Sequence, residues 1–168
     1  MEFEDIIRKR TSVRKFSNKK LEQKVLNNIL EAGRIAPTAK NNQPIKIYVV
    51  NSNEGIDKID KASRCRYGAE TVLIVCGNKE DAYHKGDYTT AEMDSCIVAT
   101  HMMLEATNNG VDNIWVESFD ENILRKEFVI PNEYTPFLLM PLGYKADDCP
   151  INPLHCKRKS LEEIIEYK

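Results

Sequence analysis

Thr71-Val72-Leu73-Ile74-Val75-Cys76 carries no charge and is rich in β-branched residues. A run that is apolar at every position, rather than at alternate ones, is the pattern of a strand covered on both faces. It predicts a sheet with helices on either side. Upstream, Ile45-Lys46-Ile47-Tyr48-Val49-Val50 reads as a second strand. Downstream, Ala91 to Asn108 reads as a long helix. Met93, Ile97, Thr100, His101 and Leu104 mark one stripe of it, with Val98, Met102 and Glu105 beside them. Apolar residues surround much of its circumference, which places it centrally or at a subunit interface. Gly110 stands where a left-handed cap ends such a helix.

The remaining elements follow from spacing and breakers. Phe3, Ile6, Ile7 and Arg10 repeat at helical spacing. Leu21 to Ile35 gives a second helix, which stops before Pro37 because the residue preceding a proline disfavours helix. Gly55 to Ala62 is a short helix, and Asn113 to Val116 a short strand. Asp120 caps a helix that runs to about Phe128 and is stopped by Pro131. Phe137 to Gly143 is a buried strand in which Pro141 argues for an edge or a bulge. Asn78 to Thr90 reads as loop and Ala146 to His155 as irregular tail. Ser160 caps a last helix, Leu161 to Tyr167, with Glu163 completing a capping box. This order has no regular βαβ alternation and no glycine-rich dinucleotide turn. It predicts a three-layer α+β fold rather than a Rossmann fold, in a single domain spanning 1–168.

Composition narrows the function classes. A net charge of −2, with 24 basic residues spread along the chain, gives no field for steering nucleic acid. No apolar run approaches the roughly 20 residues a bilayer span needs, and the acidic opening Met1-Glu2-Phe3-Glu4-Asp5 lacks the secretory pattern. A cytoplasmic location is the default expectation. Cys65, Cys76, Cys96, Cys149 and Cys156 are odd in number and include no C-x-x-C pair, so free thiols are expected. The spacing of Cys149, His155 and Cys156 matches no common zinc pattern, and no metal site is expected. His84 and His101 are read as structural or surface residues. Hydrolase and P-loop motifs do not occur.

Two segments carry chemistry. In Arg10-Thr11-Ser12-Val13-Arg14-Lys15-Phe16, Arg10, Ser12 and Arg14 fall on one side of the backbone whether it is helical or extended. Two guanidiniums and a hydroxyl then converge as a phosphate requires. Solvated charge at a helix end is the competing reading. The second segment is Pro37-Thr38-Ala39-Lys40-Asn41-Asn42-Gln43-Pro44; on the competing reading it is an ordinary helix-to-strand loop.

These residues resemble a family. Arg10 to Phe16 is similar to the R-R-S-x-R-x-F opening of the FMN-dependent nitroreductases, and Ala36 to Pro44 to their A-P-S-x-x-N-x-Q-P-W segment. Asp94 through Leu104, then Ala106, Gly110 and Trp115, resemble the family's long helix and following strand. Leu142-Gly143-Tyr144 and Arg158-Lys159-Ser160-Leu161-Glu162-Glu163 resemble its late strand end and its basic C-terminal element. The motifs run in order over nearly the whole chain.

The resemblance implies a three-layer α-β-α fold around a mixed, largely antiparallel sheet. It also implies a homodimer with FMN at the subunit interface. Arg10, Thr11, Ser12, Arg14 and Arg158 would hold the phosphate and ribityl chain. Pro37, Thr38, Ala39 and Asn41 of the second subunit would lie along the isoalloxazine ring, and Val116, Glu117 and Ser118 would bring backbone amides toward its N5 and O4. Residues 146–168 would form an arm packed on the partner. The implied chemistry is ping-pong reduction of flat, electron-poor acceptors such as nitroaromatics and quinones by NAD(P)H, with no catalytic side chain assigned. A flavin-binding or flavin-sensing protein, reductive dehalogenation and oxidative FMN breakdown are the alternatives. Several positions depart from the pattern: Thr38 for Ser, Lys40 for a small residue, Ile45 for an aromatic, Val111-Asp112 for a glycine-rich turn and Ser118 for Gly. The stretch before Ala91 is short where larger members carry a helical cover.

Overall fold

The apolar run lies inside a four-stranded sheet, and all eight residues of its strand are buried. The computed structural model describes residues 2–168. Its elements are α1 (Phe3–Lys9), α2 (Gln23–Arg34), β1 (Ile45–Val50), α3 (Asn53–Ala62), β2 (Thr71–Asn78), β3 (His84–Lys85), β4 (Tyr88–Thr89), α4 (Ala91–Asn108), β5 (Asp112–Asn113), α5 (Glu121–Phe128) and β6 (Tyr134–Gly143). The sheet runs β1-β2-β6-β5, with each neighbouring pair antiparallel. An isolated parallel bridge from Ser12 to Asn113 makes it mixed at the β5 edge.

Strand alternation divides the core into the three expected layers. Leu73 and Val75 of β2, with Leu138, Met140 and Leu142 of β6, pack with Leu26 and Ile29 of α2 and Val98, Ala99 and Met102 of α4. Val72, Ile74 and Cys76 of the same β2 face the other way. They join Ile56 and Ile59 of α3 and Leu124 of α5. Burying an aliphatic side chain of this size is worth about 1.5–3 kcal/mol, so both faces must be covered for β2 to persist. Gly77 closes the contact at the end of β2. A Cβ there would lie 2.7 Å from the Ala91 carbonyl, 2.8 Å from Ser95 Oγ and 2.9 Å from Phe137 Cε2. Only a residue without one lets the head of α4 sit on the sheet.

Capping follows the local rules. The Asp120 carboxylate accepts from the Ile123 N–H, the Ser52 hydroxyl accepts from the Gly55 N–H, and Gly110 adopts φ +71 after α4.

Several expectations are corrected. Leu161 to Tyr167 is not a helix. Glu163 does accept from the Ser160 N–H at 2.8 Å, so half of the capping box forms. Seven exposed residues with no packed face cannot offset helix nucleation, and only a single turn results. The segment read as loop before Ala91 contains the β3–β4 hairpin, turning at Gly86 with φ +62. Pro141 is not at an edge, because β6 lies between β2 and β5. Its carbonyl accepts from the Ile114 N–H at 3.3 Å, but its nitrogen returns no bond. The expected strand Asn113 to Val116 is interrupted there, pairing at Asp112–Asn113 and again only at the Val116–Leu139 bridge. The bulge lies further back. Val75 faces Leu138 while Cys76 faces Pro136, leaving Phe137 as the extra residue.

Among the described residues, no helix is long and apolar enough to cross a membrane.

Candidate functional site

Arg10 ends α1, and the chain then runs extended beside β5. The Val13 N–H donates to the Asn113 carbonyl at 3.1 Å and the Phe16 N–H to the Tyr67 carbonyl at 3.0 Å. Val13 and Phe16 point into the core and are 3% and 6% exposed. Ser12 and Arg14, which flank the buried Val13, are thereby turned outward, as alternation in an extended segment demands. Arg10 Nη1 lies 3.4 Å from Ser12 Oγ, on the same side.

A cleft of about 210 Å³ opens over this segment. Arg10, Thr11, Ser12 and Arg14 form one wall; Asn152, His155 and Arg158 form the other. Arg158, from the far end of the chain, thus lines the same cleft as Arg10, Arg14 and the Thr11 and Ser12 hydroxyls. Burial, and after it the nearby Arg158 charge, push Arg10 down from its ordinary range. Two like charges held together without an anion repel each other, and a dianionic phosphate monoester removes that repulsion while accepting charge-assisted bonds. The residues present therefore fit the phosphate end of FMN. Among the described residues Arg158 is held only by its own arm, donating to the Lys157 carbonyl at 2.7 Å and the Leu154 carbonyl at 3.3 Å. Behind the cleft, the Tyr67 phenol is pushed up by its hydrogen bond with the Cys65 thiol and by burial, with the Arg14 guanidinium opposing.

Asn152 and His155 were missed by the sequence reading, which took the tail as irregular. Asn152 Oδ1 accepts from the Leu154 N–H at 2.9 Å and starts a 3₁₀ turn over Pro153–Cys156. The Asn-Pro pair was the available signal.

The second segment lies elsewhere. Pro37, Thr38, Ala39 and Asn41 form the connection from α2 into β1, the edge strand opposite β5. Three strand spacings, about 14 Å, separate the two edges. The loop is internally tied: Thr38 Oγ1 accepts from the Gln43 N–H at 2.9 Å, and the Asn41 carbonyl accepts from Gln43 Nε2 at 3.1 Å. Lys40, Asn41 and Gln43 all have positive φ, at 53, 56 and 53°. Each such non-glycine residue costs about 1–2 kcal/mol, and strain of this kind concentrates where a loop must present a defined shape. Lys40 Nζ sits 4.4 Å from the Tyr83 ring centroid. Beside the loop, Thr38, Gln43, Ile45, Ile47 and Val98 line a second cleft of about 340 Å³.

The third group follows directly after β5, next to the Arg10–Arg14 edge. Val116 is buried, and its N–H donates to the Leu139 carbonyl at 3.0 Å. That amide belongs to the sheet, which corrects the expectation that it faces a ligand. Glu117 and Ser118 are exposed. Glu117 Oε1 accepts from Trp115 Nε1 at 2.7 Å, and the Ser118 carbonyl accepts from the Ser63 hydroxyl at 2.6 Å. These bonds fix the segment while leaving the Glu117 and Ser118 N–H groups without a partner among the described residues.

Comparison with known proteins gives the chain's family and similar folds. A profile described as the Nitroreductase family matches residues 7–67 and 63–144. The solved structure of a nitroreductase family protein from Clostridium difficile 630 is 34% identical, with a TM-score of 0.93, and the match covers 100% of this chain and 99% of that one. A protein of Methanothermobacter thermautotrophicus, whose name proposes an NADH dehydrogenase or NAD(P)H nitroreductase, is 27% identical over 88% of this chain and 80% of its own length. A structure from Exiguobacterium sibiricum 255-15, solved in complex with FMN, shares the fold at 19% identity, with a TM-score of 0.87 over 100% of this chain and 98% of that one.

Proposed function

This chain belongs to the nitroreductase family, and from that premise we propose that it is an FMN-dependent oxidoreductase, driven by NAD(P)H and acting on flat, electron-poor acceptors such as nitroaromatics or quinones. The observation that carries the reading is the convergence of Arg10, Arg14 and Arg158 on one cleft with Ser12. When bound, FMN supplies the centre that takes up hydride and passes electrons on.

The chain's own residues bind and orient. Arg10, Arg14 and Arg158 neutralise the phosphate, while the Thr11 and Ser12 hydroxyls donate to its oxygens and to the ribityl chain. The free Glu117 and Ser118 N–H groups are donors for the N5 and O4 edge of the ring. A donor aimed at that edge favours the reduced, more electron-rich ring. No side chain is assigned a proton-transfer role, since water reaches an exposed ring edge.

The opposite placement of the two ligand-facing segments supports a homodimer, in which Pro37, Thr38, Ala39 and Asn41 of one subunit complete the site begun by Arg10 of the other. Surface area supports it too. The chain exposes 10372 Å², against about 8,500 Å² for a compact monomer of this mass. The excess includes Phe3, Ile7, Met93, Leu161, Ile164 and Tyr167, all large and all exposed. We assign residues 146–168 to an arm that packs on the partner and place the cleft wall at Arg158 under its control.

The test is the visible spectrum of the purified protein, followed by anaerobic addition of NADH and then NADPH. A flavin band that bleaches is the expected result. A band that persists with both donors points instead to a flavin-binding or sensing role. No band after reconstitution with FMN removes the reading.

A further inference from the structure

We propose that Asp94 is the positioning residue that holds the loop Thr38–Gln43 in shape for the flavin ring, an inference that rests on the flavin reading above. Asp94 lies in the first turn of α4 and is 2% exposed. Its Oδ1 accepts from the Ala39 N–H at 2.9 Å, and its Oδ2 accepts from Thr90 Oγ1 at 2.8 Å. Its own N–H donates to the Thr90 carbonyl at 2.8 Å. Among the described residues no Lys, Arg or His forms an ion pair with it.

A buried carboxylate without a cation is unfavourable. The positive end of α4 offsets part of that cost. What the carboxylate obtains in this place is a charge-assisted grip on one backbone amide. That amide belongs to Ala39, the first residue of the tight turn whose next two residues, Lys40 and Asn41, are both left-handed. A turn with strained residues in succession relaxes unless something outside it holds its backbone.

The same carboxylate reaches a second loop through Thr90. Asn42 Nδ2 donates to the Asp81 carbonyl at 2.9 Å, Asn78 Nδ2 donates to Asp81 Oδ2 at 2.7 Å, and the Thr90 N–H donates to the Tyr83 carbonyl at 3.0 Å. The loop that would face the ring and the segment Asn78–Thr90 are therefore joined by hydrogen bonds at Asp94 and at Asp81, beside the Lys40–Tyr83 contact. Of these, Asp94 is the buried one. Its loss frees both loops together while leaving β2 and β6 untouched.

The experiment compares Asp94→Ala, Asp94→Asn and wild type by peptide-resolved hydrogen exchange without FMN, and by FMN titration with the visible circular dichroism of the bound flavin. The Asp94→Asn variant is not expected to break the brace: its side-chain carbonyl still accepts from Ala39, and its side-chain amide donates to a rotated Thr90 hydroxyl. In Asp94→Ala, exchange over 38–43 rises at least about tenfold, FMN binding weakens by about as much, and the flavin dichroism changes. Asp94→Asn restores all three to within about threefold of wild type. Wild-type exchange and dichroism in Asp94→Ala overturn the proposal. So does protection lost throughout the sheet, which makes Asp94 a general fold residue, and so does failure of Asp94→Asn to restore the loop. Wild-type protein that binds no FMN overturns the flavin reading and the role given to the loop, and is told apart because the exchange result in FMN-free protein is read independently.

Discussion

The two walls of the guanidinium cleft are built to different standards. The Arg10–Phe16 wall is stitched to β5 by the Val13 N–H and to the turn at Tyr67 by the Phe16 N–H, and both side chains are buried. The Asn152–Arg158 wall is exposed at most positions, and among the described residues Arg158 bonds only to carbonyls of its own arm. One wall is preorganised and the other must be held by something else, either the ligand or a second subunit. Affinity from a preorganised wall is not reduced by an ordering cost, whereas affinity from the arm is.

Five measurements test that contrast, in order of decreasing effect. Arg10→Ala removes a guanidinium from the fixed wall and should weaken FMN binding by about 2–5 kcal/mol, read by fluorescence titration. Retained full occupancy in the purified variant would sink the assignment of Arg10. Val13→Ala deletes a buried anchor of the same wall and should lower unfolding stability by about 2 kcal/mol in urea. A stability like that of wild type would mean that the wall is not anchored through Val13.

Arg158→Ala should cost about 1 kcal/mol of FMN binding, clearly less than Arg10→Ala, because ordering the arm offsets part of its contribution. Equal losses from the two variants would show the walls to be equally organised. Leu161→Ser in the arm should change monomer stability by less than about 0.5 kcal/mol, and a large loss there would mean that the arm is part of the core. The smallest effect concerns the tether between the walls. The Asp148 carboxylate is held below its ordinary range by its hydrogen bond with Lys15. A depressed carboxylate pKa makes the folded contact favourable above the unfolded value, near 3.9 for Asp, and that contribution fades as pH falls through the still lower folded value. Proteolytic cutting of the arm should thus be insensitive to pH between about 5 and 8. Asp148→Asn should quicken it modestly at pH 7. Rates unchanged by that variant would remove the tether.

The contrast also separates what was legible in the chain from what was not. β2 could be read at once, because a doubly covered strand has a one-dimensional signature: Thr71 to Cys76 is apolar at every position. Arg10, Ser12 and Arg14 were legible for a similar reason, since alternation alone places them on one side. Arg158 came from a resemblance rather than from local pattern, and Asn152 and His155 were not found. An arm whose conformation depends on distant contacts leaves no periodicity to read. Leu161 to Tyr167 shows the opposite error. Its cap residues are right, but a cap adds only about 1 kcal/mol and cannot replace a buried face. Val116 was read as offering its N–H to a ligand, yet which residue of that segment spends its N–H on the sheet depends on the pairing with Leu139, and that is a tertiary fact.

The bulge at Phe137 has a consequence for the grammar of β6. Tyr134 packs with α3 and α5, while Leu138, an even number of residues later, packs with α2 and α4. The strand thus changes phase midway: even positions before Phe137 address one layer and even positions after it the other. Deleting this single residue would make Pro136 and Leu138, which already face Cys76 and Val75, consecutive, so the bulge would vanish while both halves of the strand kept their layers. Phe137 itself spends its ring over Gly77. The residue that shifts the phase also fills the gap that lets α4 approach, so the two properties are inherited together.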